Sequence, residues 1–334
     1  MATNNAHATT GNNDELYTLY DDVKQSVVSD VLYNPDLFTD KTVLCPFNDA
    51  PYSAFARYFS DNFNALKLKK LICISYAGSP RNSEQKHGQL FIQSRGDDKL
   101  KFIRNLKTDG DFRFAEVSRI ADKSDIVYSY PPGTKFEQAL EWCLSRPHLK
   151  FSLLGNLINA ATLVTFPYMA NFDIWWSSVV LNPGKFETFD PSALNCTAVE
   201  TARNGANYLS LPMRWYTNIP SRNHSEFLEL HSKSENLAYN SQLRRYLEKH
   251  NYDDYPMYTD YPAMECPYVE AIPSDYPDVM GVPLTFFDVY NPNQFAIAPY
   301  VYRRKHSRDM PRYHILRTKL DQRSAFSRVP IRVL

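Results

Sequence analysis

Glycine is scarce, with 10 residues in a chain of 334. Phosphate-cradling loops need glycine at set offsets, and neither G-x-G-x-x-G nor G-x-x-x-x-G-K-[S/T] occurs. H-E-x-x-H is missing too. The histidines His148, His224, His231 and His250 are scattered, so no metal site is expected. Without a G-x-S-x-G elbow, hydrolysis of the Ser-His-Asp type on an α/β-hydrolase scaffold is excluded. No apolar run is long enough for a membrane span. The opening MATNNAHATT lacks the apolar stretch of a secretory signal. The cysteines are Cys45, Cys73, Cys143, Cys196 and Cys266, odd in number and never spaced C-x-x-C. Neither a zinc site nor a disulfide framework is expected, and the thiols read as buried small hydrophobes in a reducing, cytoplasmic compartment. Net charge is absent as well: 37 Lys and Arg balance 37 Asp and Glu. That excludes a wholly basic nucleic-acid clamp and a highly charged disordered chain.

What is present is core-forming material. Hydrophobic residues make up 43% and aromatics 14% of the chain, with 23 tyrosines. This suffices for one large domain or two smaller ones. The zero net charge also conceals an asymmetry. Between His250 and Arg303 there is no Lys or Arg, but eight acids. From Arg303 to Leu334 there are ten basic residues against Asp309 and Asp321. Two readings stand: the basic tail is a phosphate-binding patch, or the segments neutralise each other in the fold. Ile315, Leu316, Leu320, Phe326 and Val329 interleave with the charges and predict a structured tail.

Residues 1–13 read as a disordered lead. Leu16, Leu19, Tyr20, Val23 and Val27 predict a helix over 14–32. Short buried strands are expected at 41–46 (KTVLCP), 71–76 (LICISY), 125–130 (DIVYSY) and 150–154 (KFSLL), with a hairpin strand at 89–93. Helices are expected at 53–66, at 134–145 behind a Thr134 cap, and at 159–168. Strand–helix alternation predicts an α/β fold with an open, mostly parallel sheet and helices on both faces. A core over 14–170 is expected, followed by an elaborated recognition region over 171–334 made of short strands and loops. Trp175-Trp176 and Trp215-Tyr216 either pack in the core or stack bases.

In such sheets ligands bind beyond the carboxyl ends of the strands. After KTVLCP comes Phe47-Asn48-Asp49-Ala50-Pro51, and after the second strand and an excursion comes Thr108-Asp109-Gly110-Asp111-Phe112-Arg113. DIVYSY ends at Tyr130-Pro131-Pro132-Gly133. These segments fall in a familiar order. Asp14-Glu15-Leu16-Tyr17-Thr18 is similar to D-E-F-Y-T of the EcoRI-type adenine-specific DNA methyltransferases. Asn48-Asp49-Ala50-Pro51-Tyr52-Ser53-Ala54-Phe55 and Arg57-Tyr58-Phe59 resemble that family's D-D-P-x-x-S-x-F and x-Y-F. The resemblance continues through Asp109-Gly110-Asp111-Phe112-Arg113, Lys123-Ser124-Asp125-Ile126-Val127, Met280-Gly281-Val282-Pro283-Leu284-Thr285-Phe286 and Asn291-Pro292-Asn293-Gln294-Phe295.

The resemblance implies a Rossmann-like fold that binds S-adenosyl-L-methionine (SAM) at the sheet's switch point and acts on double-stranded DNA as a monomer. It implies that Tyr17 and Thr18 line the SAM site, that Asp49 sits under the methionine moiety, and that Asp109, Asp111 and Phe112 form the adenosine side. For Phe112, packing against adenine competes with core burial. Arg203, Asn204 and Asn207 align with the target-recognition region. Arg303, Arg304, Lys305 and Arg308 are expected to contact phosphates.

The catalytic turn departs from the family. N-P-P-F is replaced by Tyr130-Pro131-Pro132-Gly133. The asparagine oxygen and the first proline carbonyl accept hydrogen bonds from the target amine, and the aromatic residue stacks on the flipped base. Here a phenol replaces the amide and the ring is missing. The Pro131 carbonyl remains, Tyr130 offers a ring, and Phe136 lies one turn further on. The readings that follow are a DNA-modifying enzyme with altered catalytic geometry, an inactive pseudoenzyme that binds DNA or SAM, and a SAM-dependent transferase on another substrate.

Overall fold

The computed structural model describes residues 16–47, 49–77, 85–162, 164–188, 199–220, 226–258, 262–298 and 328–334. The chain divides into two compact units, one of residues 1–157 and 177–220, the other of 158–176 and 221–334.

The first unit is built on a ten-stranded sheet. Its first half comprises β1 (Tyr17–Thr18), α1 (Tyr20–Tyr33), β2 (Thr42–Cys45), α2 (Ala54–Asp61), β3 (Lys70–Ser75), β4 (Gln89–Ser94), β5 (Lys101–Asn105) and α3 (Ala115–Ala121). Then follow β6 (Ile126–Ser129), α4 (Phe136–Leu144) and β7 (Lys150–Asn156). After α5 (Thr165–Ala170), which belongs to the second unit, the sheet is completed by β8 (Trp175–Thr188), β9 (Val199–Thr201) and β10 (Asn207–Thr217). The strand order is β1-β8-β10-β7-β6-β2-β3-β4-β5, with β9 added on β10.

The four central strands β7, β6, β2 and β3 are parallel. The pairs β3–β4, β4–β5, β7–β10, β9–β10 and β1–β8 are antiparallel. The sheet is therefore mixed, not mostly parallel as the strand–helix alternation suggests. That alternation covers only the central strands. The flanking strands come from an excursion after β3 and from β8 and β10, whose length the Tyr- and Asn-rich composition of the later region obscures.

Side-chain alternation gives each face its own layer. Val43, Cys45, Leu71, Cys73, Ile126, Tyr128, Leu154 and Trp215 share one core cluster with α1 and α2. Phe55 of α2 lies 5.9 Å from Trp215. The neighbouring Tyr216 points to the opposite face, where its ring meets Phe136 of α4 at 4.8 Å. Trp176, Trp215 and Tyr216 are fully buried, which settles those rings in the core. Helices thus cover both faces.

Local chemistry explains the element limits. Ser53 caps α2, accepting from the backbone N–H of Phe55 and Ala56. The first helix starts at Tyr20, because Tyr17 and Thr18 pair with Glu187 and Phe186 of β8. The helix expected behind Thr134 begins at Phe136 without a side-chain cap, after a 3-10 turn over Gly133–Lys135. The helix expected at 159–168 is split into a 3-10 turn over Leu157–Ala161 and α5.

The second unit holds α5, α6 (Lys233–Tyr239), α7 (Ser241–His250), β11 (Met264–Glu265), β12 (Met280–Pro283), β13 (Phe295–Ile297) and β14 (Arg328–Val333). Its sheet runs β11-β12-β14-β13. Phe287 packs on Phe166 and Trp176, and Phe286 on Phe295. Arg328 of the basic tail binds the buried Glu265 of the acidic stretch at 2.6 Å. At this position the two charge blocks neutralise each other.

Candidate functional site

Beyond β2 the chain turns to β3 on one side and, after its excursion, to β6 on the other. This reversal is a topological switch point, the place where ligands of such sheets bind, beyond the carboxyl ends of the parallel strands. The segments after Cys45, Ser75 and Ser129 all emerge at that edge.

Hydrogen bonds tie these segments together. Ala50 N–H donates to the buried Ser75 Oγ at 2.8 Å, which pulls the loop after β2 onto the end of β3. Asp49 is buried, and its carbonyl accepts from Tyr52 and Ser53, folding the loop into the start of α2. Ala77 N–H donates to the Asp109 carbonyl at 2.8 Å, so the acidic loop lies across the same strand end. Gly110 has φ +92, and a Cβ there would sit 2.9 Å from the Ser75 carbonyl oxygen. Glycine alone allows both the left-handed backbone and that approach.

The acidic side chains are individually held. Asp109 Oδ1 accepts from the Asp111 N–H at 2.9 Å. Asp111 is buried, accepts a two-pronged bond from Arg113 at 2.9 and 2.8 Å, and accepts a third from Lys135 Nζ at 2.8 Å. Burial alone would raise this carboxyl. The bonds from Arg113 and Lys135 outweigh it and hold the group at about 2. Lys135 also lies 5.2 Å above the Tyr76 ring. Through Lys135 the acidic loop is joined to the segment just past Gly133. Phe112 is buried edge-on against Phe47 at 5.1 Å and Trp142 at 5.6 Å.

The turn after β6 divides into a buried and an exposed half. Tyr130 is 6% exposed, and its ring meets Phe186 at 5.5 Å in the α1/α2 core. Phe186 is the register partner of Thr18. Tyr17, Thr18 and Tyr130 are thereby brought to one place. Pro131 is buried, Pro132 half-buried and Gly133 exposed, and the Pro132 carbonyl accepts from Lys135 N–H at 2.8 Å. Phe136 is 1% exposed, with its ring between Tyr216 and Gly155. Such an enclosed ring has no face left for a base.

Other expected contact residues lie elsewhere. Arg203 and Asn204 are exposed at the tip of the β9–β10 hairpin, whose turn uses Gly205 at φ +81. Asn207 is half-buried and accepts from Thr201 Oγ1 at 2.7 Å. Arg303, Arg304, Lys305 and Arg308 lie outside the described residues. In the second unit, Asn291 donates to the Glu226 carbonyl, while Gln294 exchanges hydrogen bonds with the Leu228 backbone. The Asn291–Phe295 motif is thus a structural clasp there. Ser75, Lys135, Trp142 and Phe186 are neighbours of this site that the sequence reading does not single out, since no local pattern marks them.

The family described as adenine-specific methyltransferase EcoRI matches residues 4–328. The chain belongs to this family. Type II methyltransferase M.EcoRI of Escherichia coli is 31% identical over 297 residues, 85% of this chain and 85% of that protein. Type II methyltransferase M.MgeORF184P of Mycoplasma genitalium is 29% identical over 294 residues, 85% of this chain and 82% of its own length. Type II methyltransferase M.MpnI of Mycoplasma pneumoniae is 28% identical over 293 residues, with the same shares. No solved structure matches significantly. Among the described residues no cluster of His, Cys, Asp and Glu could hold a metal, and no helix is long and apolar enough to cross a membrane.

Proposed function

We propose that the protein is a SAM-dependent DNA methyltransferase that transfers a methyl group to the exocyclic amine of a flipped adenine. The observation that carries this reading is the convergence of the Asp49 loop, the Asp109–Asp111 loop and the Pro131-Pro132 turn at one switch point, in a chain of this family. SAM fits the residues present. Thr18 Oγ1 is buried with no hydrogen-bond partner among the described residues, an orphan that a bound polar ligand would satisfy. When bound, SAM supplies a methyl group on a sulfonium, ready for displacement.

The chain's own residues do the rest. Asp49 and Asp109 would hold the cofactor's ammonium and ribose hydroxyls. Asp111 serves as an anchor, since Arg113 and Lys135 already occupy its oxygens. The Pro131 carbonyl would accept a hydrogen from the target amine and direct the nitrogen lone pair toward the methyl. Tyr130 is committed to Phe186 and acts as a wall of the site. One main-chain acceptor thus replaces the family's pair. Losing one preorganised partner of this kind costs about 10²- to 10³-fold in kcat. DNA would be held by the exposed Arg203 and Asn204 at the hairpin tip.

The test is to incubate the protein with SAM and unmodified DNA, digest the DNA and weigh every nucleoside by mass spectrometry. N6-methyladenine is the expected product. An unchanged nucleoside profile, with DNA binding demonstrated in the same sample, would overturn the reading in favour of an inactive DNA-binding relative.

A further inference from the structure

A second concave surface lies on the α3 side of the sheet, and at Thr108 and Phe114 its end borders the Asp109–Arg113 loop. It has a volume of about 690 Å³ and opens between α3, the amino ends of β2 and β3, and the segment following β5. Its cations are Lys69, Lys70, Arg104, Lys107, Arg119 and Lys123, and its one acid is Glu116.

Glu116 is already neutralised. It takes Arg104 at 2.8 Å and the Lys107 backbone N–H at 2.8 Å. The other acids along this edge are engaged too: Asp125 accepts from Thr42 N–H, and Asp122 binds Arg146. Among the described residues, Lys69, Lys70, Lys107, Arg119 and Lys123 have no ion-pair partner. Unpaired cations on one concave wall repel each other and concentrate a field that favours a polyanion. Ile72 and Ile120 supply an apolar floor. Phe114 lines the groove with 47% of its surface exposed, so its ring is open to a stacking partner beside the cations. A phosphate-binding surface alone has no use for that ring. Cations beside an open aromatic face are what a nucleic-acid strand requires, since its phosphates track the charge and its bases stack.

We infer that this groove binds a single-stranded nucleic-acid segment along the α3 side of the sheet, next to the Asp109–Arg113 loop. The phosphates lie along Lys69, Lys107, Arg119 and Lys123, and a base rests on Phe114. The inference does not depend on methyl transfer.

The probe is a fluorescein-labelled twelve-residue oligothymidylate, which offers no adenine to the other site. Its affinity for the full chain is read by anisotropy across a sodium chloride series. A variant carrying Lys69→Gln, Arg119→Gln and Lys123→Gln is compared with a charge-matched control carrying Lys24→Gln, Arg57→Gln and Lys150→Gln. Far-UV circular dichroism melts check that each variant folds. The groove variant is expected to reduce the slope of log affinity against log salt by about 2, at roughly 0.7 for each phosphate no longer neutralised. Phe114→Ala is expected to weaken binding about tenfold with the slope unchanged. Equal losses in the control variant would overturn the inference, as would failure of the unsubstituted protein to bind the oligomer. Inorganic tripolyphosphate is titrated in parallel. Binding of tripolyphosphate in the groove with no effect of Phe114→Ala on the oligomer would assign the groove to small polyphosphates and overturn the strand. Methyl transfer to duplex DNA is measured on the same samples. Transfer without oligomer binding sinks this inference alone, and groove-dependent binding without transfer sinks the proposed activity alone.

Discussion

The Asp109-Gly110-Asp111 loop shows how two neighbouring acids take separate roles through their partners. Asp111 is wrapped by Arg113 and Lys135, whereas Asp109 spends Oδ1 on a turn within its own loop. Asp109→Asn keeps that turn, because the amide oxygen accepts the same N–H. It removes only the charge, so SAM affinity measured by calorimetry should fall about tenfold, the scale of one charged hydrogen bond. The thermal midpoint should stay within about a degree. At the turn after β6 the structure decides a question that the motif leaves open, because the Tyr130 ring belongs to the core beside Phe186. Tyr130→Phe preserves that packing and deletes the phenol. If the Pro131 carbonyl carries the acceptor role, kcat should change by less than about threefold. A loss near the 10²-fold scale of a deleted catalytic partner would assign the phenol a direct part. The acids and the turn were legible in the sequence because their residue types and order are distinctive. Ser75 and Lys135 were not, since nothing local marks a serine or a lysine as the tie between two loops.

At the scale of elements, short apolar runs placed β2, β3, β4, β6 and β7 close to their observed positions, while α2, expected over 53–66, ends at Asp61. Those strands are short, apolar and bounded by turn residues. The expected helices at 14–32, 134–145 and 159–168 were each shortened or divided. Tertiary pairing took Tyr17 and Thr18 into the sheet, and 3-10 turns took Gly133–Lys135 and Leu157–Ala161. One glycine ties two elements together. A Cβ on Gly155 in β7 would run into the Phe136 ring of α4. That ring is enclosed and cannot yield without moving the helix. Gly155→Ala should therefore destabilise by about 1–3 kcal/mol, the range for an overpacked core. Urea unfolding would measure it. Adding Phe136→Leu should recover part of the loss, whereas no recovery would show that the strain lies in the strand itself.

For the whole molecule, a buried polar network beneath the sheet sets a pH dependence. Asp30 of α1 is buried, accepts from Tyr128 Oη at 3.1 Å, and Tyr128 Oη is also in contact with Ser26 Oγ. Burial pushes the Asp30 carboxyl up to about 7, and the bond from Tyr128 pulls only partly the other way. An unfolded aspartate titrates near 4, at about 3.9. Between these values the folded chain holds a proton that the unfolded chain has released. Its contribution is complete below the unfolded value and is lost as pH rises toward 7, at up to about 1.4 kcal/mol per pH unit. Asp111 acts in the opposite sense, with a contribution complete above the unfolded value and lost as pH falls toward 2. Asp30→Asn keeps an acceptor for Tyr128 and removes the titration. The variant's thermal midpoint should exceed that of the parent by about 2 °C or more at pH 8. The gap should close by pH 4. A gap independent of pH would exclude Asp30 as its source.

The sequence by itself determined the family, the nature of the central strands and the residues that end them, because these depend on local pattern and on motifs in a set order. Only the tertiary structure decided that the sheet is mixed, that the chain divides as 1–157 with 177–220 against the rest, and that Tyr130 and Phe136 turn inward. The physical reason is shared. Strand direction, the return of β8 and β10 to the sheet, and the choice between core and cleft for an aromatic ring are settled by partners 50 or more residues away, such as Phe186 for Tyr130 and Tyr216 for Phe136. No local pattern in a single sequence records such partners.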